Sequence, residues 1–236
     1  MTKIYGHRGL SSIYPENTMI AYKKAYEAGM DGIELDVHRT KDGEIVVIHD
    51  YTLDRTTDGI GFVRDYNYKD LKKLSAGNSF DKKFYSEKIP TLKEVLEYFK
   101  DKNFEINIEI KAGYRFYKDI EEKVIENIDK YYKKGNIIIS SFDHYSILRC
   151  KEIDSSIKTG ALVEASLYKP WDYLRKIKAE YIHPQFLSVT DEFIDEAHNE
   201  GFKINTYTVD DKNMVMHFKD KNLNSVITNK NLRINN

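Results

Sequence analysis

One cysteine, Cys150, stands among 236 residues, so neither an internal disulfide framework nor a cysteine-ligated zinc site can form, a usage that suits a reducing compartment. Excess charge of one sign is also missing. Lys and Arg number 37 against 38 Asp and Glu, a formal net charge of -1, so no global field draws the chain to nucleic acid or to an anionic membrane. Any attraction for anions has to be local. No Lys/Arg-rich motif interleaved with aromatics occurs, which argues against nucleic-acid binding, and the pairs Lys72-Lys73, Lys82-Lys83 and Lys133-Lys134 read as solvated. No stretch approaches the ~20 apolar residues that span a bilayer. Met1 to His7 holds no apolar run of signal-peptide length, so the expected mature chain starts at Met1, without a transmembrane segment, in the cytoplasm. Internal repeats, low-complexity tracts and linkers are absent too, and the pattern assigns no oligomeric state.

What is present suffices for a sizeable core: 41% hydrophobic and 13% aromatic residues, in a length that α/β barrels commonly fold as one domain, here 1–236. Short β-rich runs alternate with apolar residues at helical spacing, the pattern of βα units on a parallel sheet. Strands are predicted at Ile4–His7, Gly32–His38, Phe104–Lys111, Asn136–Ser140, Lys158–Val163, Tyr181–His183, Lys203–Val209 and Ser225–Thr228, and eight is the number that closes a barrel. Helices are predicted at Asn17–Ala28, Thr91–Phe99, Lys118–Tyr132, Tyr145–Glu152, Trp171–Ile177, Asp191–Asn199 and Asp211–Lys219, with Gly29, Gly135 and Gly201 placed as C-caps. One stretch, Thr40 to Pro90, breaks the alternation with a Lys41-Asp42-Gly43 turn, a further apolar strand Ile45–Ile48 and a polar segment. It reads as an insertion of roughly 51–90 at one barrel end, ordered by its Tyr and Phe content. The tail 230–236 is expected to fray.

Glu34 and Asp36, two apart on a predicted strand, project their carboxylates from one face, which in a barrel can point inward. Inward carboxylates need a cation. Glu109 and Lys111 repeat the spacing on another strand, and three carboxylates without cysteine suit a hard, oxygen-preferring ion such as Mg²⁺ or Ca²⁺. Strand-edge salt bridges are the structural alternative. The first strand ends in Gly6-His7-Arg8-Gly9, where glycines admit a sharp turn and a close ligand and Arg8 offers a planar fork for phosphate oxygens. His49-Asp50 ends the extra strand and supplies a second imidazole. Two histidines can divide general-acid and general-base work near neutral pH, as displacement at phosphorus requires.

His-Arg-Gly, Pro-Glu-Asn-Thr, Glu-Leu-Asp, His-Asp and Glu-Ile-Lys follow one another at the ends of successive elements, and in this the chain resembles the glycerophosphodiester phosphodiesterases from His7 to Thr228. The resemblance implies a (β/α)8 TIM-type barrel with a small insertion after the second strand. It implies His7 and His49 as the catalytic pair, Glu34, Asp36 and Glu109 as ligands of one divalent cation, and Arg8 and Lys111 as phosphate holders. Glu16 and Asn17 would support these groups, with Thr18 either doing the same or capping the helix. The implied substrate is a small glycerophosphodiester, cleaved to sn-glycerol 3-phosphate and an alcohol such as choline or ethanolamine. The sequence departs from the family pattern at Tyr207, where Trp is usual and where the ring would either face the glycerol moiety or pack in the core, and at Asn229, where Asp is more common.

Other residues carry plainer expectations. His38 lies in strand phase with the carboxylates, His183 is either a substrate contact or a core residue with the core favoured, and His144, His198 and His217 are placed on the surface. Phe142 either walls the pocket or packs inside. Phe62, Tyr66, Tyr68, Phe80, Phe84 and Tyr85 are expected to form the insertion's small core; as an apolar entrance they would instead suit lysophospholipid or sphingomyelin head groups. A catalytically silent phosphodiester-binding barrel is the remaining rival.

Overall fold

A computed structural model describes residues 1–232 apart from 112, 114 and 115, so only part of the tail expected to fray falls within the described residues. Eight parallel strands close a barrel: β1 (Lys3–His7), β2 (Gly32–Arg39), β4 (Glu105–Ile110), β5 (Ile137–Ser141), β6 (Lys158–Val163), β7 (Tyr181–Pro184), β8 (Lys203–Thr206) and β9 (Ser225–Thr228). Pairing of β1 with both β9 and β2 completes the ring. A short strand, β3 (Ile45–Val47), lies antiparallel on β2 and leads into the insertion. This is the (β/α)8 architecture expected from the alternation.

The helices follow from apolar stripes and capping side chains. α1 (Met19–Glu27) starts at Thr18, whose hydroxyl accepts from Ala21 N, so this threonine caps. α3 (Leu92–Phe99) has a full capping box between Thr91 and Glu94, and buries Leu92, Val95, Leu96 and Phe99 on one face. A four-residue helix, α2 (Tyr68–Leu71), sits in the insertion. α4 (Ile120–Tyr131), α5 (His144–Ile153), α6 (Trp171–Lys176), α7 (Asp191–Asn199) and α8 (Lys212–Asp220) complete the outer layer. Outward strand residues such as Ile33, Leu35, Ile106, Ile108 and Ile139 pack with these helices into one apolar core between barrel and helix layer.

Several local expectations change. Gly29 (φ 75°) and Gly201 (φ 82°) do occupy the left-handed region after helices, whereas Gly135 lies in a single 3₁₀ turn, Lys134–Asn136. β8 ends at Thr206 instead of Val209. The insertion's core is aliphatic, built from Val46, Ile48, Leu53, Val63, Leu71, Ala76 and Ile89, with Tyr66 and Tyr68 packed against it. Phe84 is buried against Tyr14 and Phe80, whereas Phe62, Phe80 and Tyr85 stay exposed, at 43%, 46% and 56%, because the aliphatics already fill the small space under the loop. His144 is half-buried, its two ring nitrogens bonded to Tyr173 OH (2.7 Å) and Leu162 O (2.9 Å).

Parallel register decides which residues line the barrel. Partners across it share a face, and the pairings His7 with Glu34, Asp36 with Glu109, Glu109 with Ser140, Ser140 with Gly160, Leu162 with His183 and Tyr5 with Ile227 pass one face around the ring. That face is the interior. A Cβ added at Gly160 would lie 2.4 Å from His183 Nε2, and Asn205 Nδ2 sits 2.9 Å from the same nitrogen. His183 is therefore a core residue below the mouth, its pKa lowered to about 3 by burial.

Candidate active site

The first turn after β1 is strained in a useful way. Arg8 (φ 56°) and Gly9 (φ 87°) both have positive φ, and this turn aims the Arg8 amide at Glu34 Oε2 (3.0 Å) while its guanidinium reaches Glu16 Oε1 (2.9 Å) and Asp36 Oδ2 (3.5 Å). Glycine is required at position 9, where a Cβ would meet Ala21 at 2.7 Å. Asn17, predicted to be helical, also has positive φ (56°) and lies two residues before the helix begins. Its amide donates to Asp36 Oδ2 (2.8 Å) and its Oδ1 accepts from Tyr22 OH (2.7 Å), so it orients a carboxylate from outside the strand.

Glu34, Asp36 and Glu109 come together as a buried group whose ligand atoms all lie within 4.8 Å of one another. Lys111 Nζ stands over them, 2.7 Å from Glu109, 3.4 Å from Asp36 and 3.1 Å from His49 Nε2. The three carboxyls differ. Burial, then Asp36, pushes Glu109 up to about 7, and burial with Asp36 and Glu109 raises Glu34 as well. Asp36 goes the other way, because Lys111 and Arg8 outweigh its burial. Among the described residues the buried Glu34 Oε1 has no hydrogen-bond partner, while the nearest partner of Asp36 Oδ1 is Lys111 at 3.4 Å and that of Arg8 Nε is Asp36 Oδ2 at 3.5 Å. An unbonded carboxylate oxygen and loosely held ones beside two cationic side chains suit a cation and an anion bound together, so the donor set fits a hard divalent ion and a phosphate.

Each histidine is held through Nδ1. His49 Nδ1 donates to Asp50 Oδ1 (2.6 Å), which leaves Nε2 toward Lys111. His7 Nδ1 donates to Asn229 Oδ1 (2.8 Å), and the orientation of that amide is set by its own Nδ2 donating to Asp210 Oδ2 (2.6 Å). Ser11 Oγ lies 2.8 Å from both His7 O and Asn229 Oδ1. Burial, then the charge of Arg8, lowers His7 to about 4; burial also lowers His49. Among the described residues His38 bonds no carboxylate. It bonds Tyr117 OH (2.7 Å) and His49 O (3.0 Å), fixing the backbone under the second imidazole.

Sequence reasoning missed Arg55. From the insertion it bridges Asp50 (2.7 Å) and Glu16 (2.7 Å), tying the carboxylate behind His49 to the one that holds Arg8. The available signal was an arginine five residues beyond Asp50 in a segment of Asp, Thr and Gly. Arg55→Ala is expected to lower kcat about tenfold, with KM changed less, since both tethers loosen without loss of a reacting group. Steady-state kinetics beside a thermal melt would separate this from simple destabilisation.

Tyr207 stands at the opposite side of the mouth, half-buried, its OH donating to Val163 O (3.1 Å) and its ring against Phe142 (6.2 Å). All ten residues expected at the site thus lie at one barrel end, eight of them in contact around the carboxylates and Tyr207 and His7 along the rim.

With this geometry, comparison with known proteins is decisive for kinship. Residues 7–231 match the Glycerophosphoryl diester phosphodiesterase family. The chain belongs to that family. Similar proteins include a glycerophosphodiester phosphodiesterase of Caldanaerobacter subterraneus subsp. tengcongensis, 44% identical over 96% of this chain and 93% of that one. Another, from Bacillus altitudinis, is 38% identical over 97% and 94%. Among solved structures, an Oleispira antarctica phosphodiesterase in complex with sn-glycerol-3-phosphate superposes with a TM-score of 0.93 at 24% identity, covering 98% of this chain and 94% of that one, a likeness of fold. Among the described residues no helix is long and apolar enough to cross a membrane.

Proposed function

We propose that this chain hydrolyses glycerophosphodiesters to sn-glycerol 3-phosphate and an alcohol, using His7 and His49 for proton transfer and one divalent cation, Mg²⁺ or Ca²⁺, held by Glu34, Asp36 and Glu109. One barrel domain carries the whole reaction. The observation that carries this reading is the meeting of three buried carboxylates, two cationic side chains and two imidazoles tethered through Nδ1 in one barrel mouth. The 44% identical relative, named for this activity, supports it.

When bound, the cation supplies positive charge to the nonbridging phosphate oxygens. Arg8 and Lys111 offset the remainder, and Arg8 is suited to two oxygens at once because Glu16 holds its plane. The two imidazoles are backed unequally, which supports different roles for them. His7, backed by the neutral Asn229 and lowered to about 4, keeps a free lone pair at Nε2 and takes the proton from the attacking oxygen, whether of water or of the adjacent glycerol hydroxyl. His49, whose Nδ1 bonds the Asp50 carboxylate and whose Nε2 lies 3.1 Å from Lys111 Nζ, returns a proton to the departing alkoxide as its bond to phosphorus breaks. Tyr207 presents its ring to the organic part of the substrate.

Release of sn-glycerol 3-phosphate from glycerophosphodiesters by the purified protein, assayed with Mg²⁺, Ca²⁺ and chelator, tests the proposal. Metal-dependent release is expected. A second reading, cleavage of lysophospholipid head groups, draws on the exposed Phe62, Phe80 and Tyr85 of the insertion, of which Phe80 lines a cavity with Glu16 and Arg55. Activity confined to lysophospholipid would favour it, and silence on both substrate sets would leave a binding barrel.

A further inference from the structure

The inward face of the barrel continues past the strand ends into a rim whose two halves differ. The half on β1, β2 and β4 holds the imidazole, carboxylates and Lys111 already described. On the other half, the two-residue step beyond the inward Ser140, Leu162 and Asn205 brings Phe142, Glu164 and Tyr207 to the mouth. Contacts agree with that register. The Phe142 and Tyr207 rings meet nearly edge to face, 6.2 Å apart at 85°, and Tyr207 OH bonds the carbonyl of Val163, next to Glu164. Burial, then the charges of Glu164 and Glu109, raises the Tyr207 hydroxyl pKa.

Phe142 is 44% exposed although it faces the mouth, an apolar surface that the fold leaves without cover. Glu164 is exposed and makes no ion pair among the described residues, while the nearby Lys169 is turned to Glu196 (3.6 Å) and to the Tyr168 ring. Glu164 also lines a groove of about 580 Å³, with His144, Tyr168 and Tyr173 among its walls. Two aromatic faces beside an uncommitted carboxylate suit a ligand that is both positively charged and apolar at its surface. A neutral polyol would gain nothing from the carboxylate.

We propose that Phe142, Glu164 and Tyr207 form a subsite for the alcohol half of the diester and that Glu164 selects alcohols bearing an ammonium or trimethylammonium group over neutral ones. This rests on the phosphodiesterase reading above. The reacting bonds are unchanged; the subsite acts by holding the leaving alcohol while the phosphate sits across the mouth on Arg8 and Lys111. An exposed carboxylate near one positive charge contributes modestly, so the expected effect is about fivefold.

The test is the ratio of kcat/KM for glycerophosphocholine to that for glycerophosphoglycerol, measured in the unsubstituted protein and in Glu164→Gln and Glu164→Lys. The ratio should fall about fivefold in E164Q and further in E164K, with both variants melting near the parent temperature because position 164 is exposed. A ratio within twofold of the parent in both variants of an active enzyme would overturn the subsite alone. Failure of the unsubstituted protein to release sn-glycerol 3-phosphate from either diester would overturn this inference together with the function it rests on.

Discussion

Replacing His49 by alanine will lower kcat by about 10²- to 10⁴-fold while KM stays within a few-fold of the parent. That range is what a positioned general acid or base contributes. KM should hold because Arg8 and Lys111, which meet the phosphate charge, keep Glu16, Asp36 and Glu109 as partners when the imidazole is gone. The fold should hold as well: His49 is half-buried at the mouth, and Asp50 remains clamped by Arg55 at 2.7 Å. His7→Ala should give a loss of the same size for a different reason, since it removes the lone pair that Asn229 and Asp210 orient. The double variant should be scarcely worse than either single one, because the two groups serve one transition state. Near-parental turnover in either single variant, with an unchanged melting curve, would remove the histidines from the mechanism.

Chelation should abolish turnover, and the stability gained from a divalent cation should grow with pH. Glu109 is raised to about 7 by burial and by Asp36, and Glu34 is raised as well. A carboxyl whose folded pKa exceeds its unfolded value binds more protons in the native state, so in the cation-free protein its contribution is full below the unfolded value of ~4.3 and is lost as pH rises through about 7. At 1.36 kcal/mol per unit, that loss amounts to a few kcal/mol by pH 8. A bound cation reverses it by pairing with the ionised forms, which also means that binding releases protons below neutrality. The difference in Tm between protein with Mg²⁺ or Ca²⁺ and protein with chelator should therefore be larger at pH 8 than at pH 5.5. A difference that is constant, or larger at the acid end, would mean that the cation does not bind at these carboxylates.

Most of the candidate site was legible because barrel chemistry sits at strand ends and strand periodicity is two. Glu34 and Asp36 announce an inward face by their spacing, Glu109 and Lys111 repeat it, and Gly6-His7-Arg8-Gly9 marks a turn that few other sequences would make. The tethers behind these groups were not legible. Asn229 is 222 positions from His7, yet its amide decides which imidazole nitrogen keeps the lone pair. Arg55 belongs to a segment whose conformation depends on a small aliphatic cluster, and that cluster was misjudged because aromatic residues promised more burial than the space under the loop allows.

The sequence by itself thus determined the alternation of strands and helices, the parity that turns one set of side chains inward, and the candidate site groups among them, since all three depend on neighbours a few residues apart. Only the tertiary structure decided how the ring closes from β9 to β1, which carboxyls are pushed up and which down, and what stands on the far rim. These depend on burial and on charges brought together across the barrel. Phe142, Glu164 and Tyr207, on three separate strand ends, become one surface only when eight strands share a common axis.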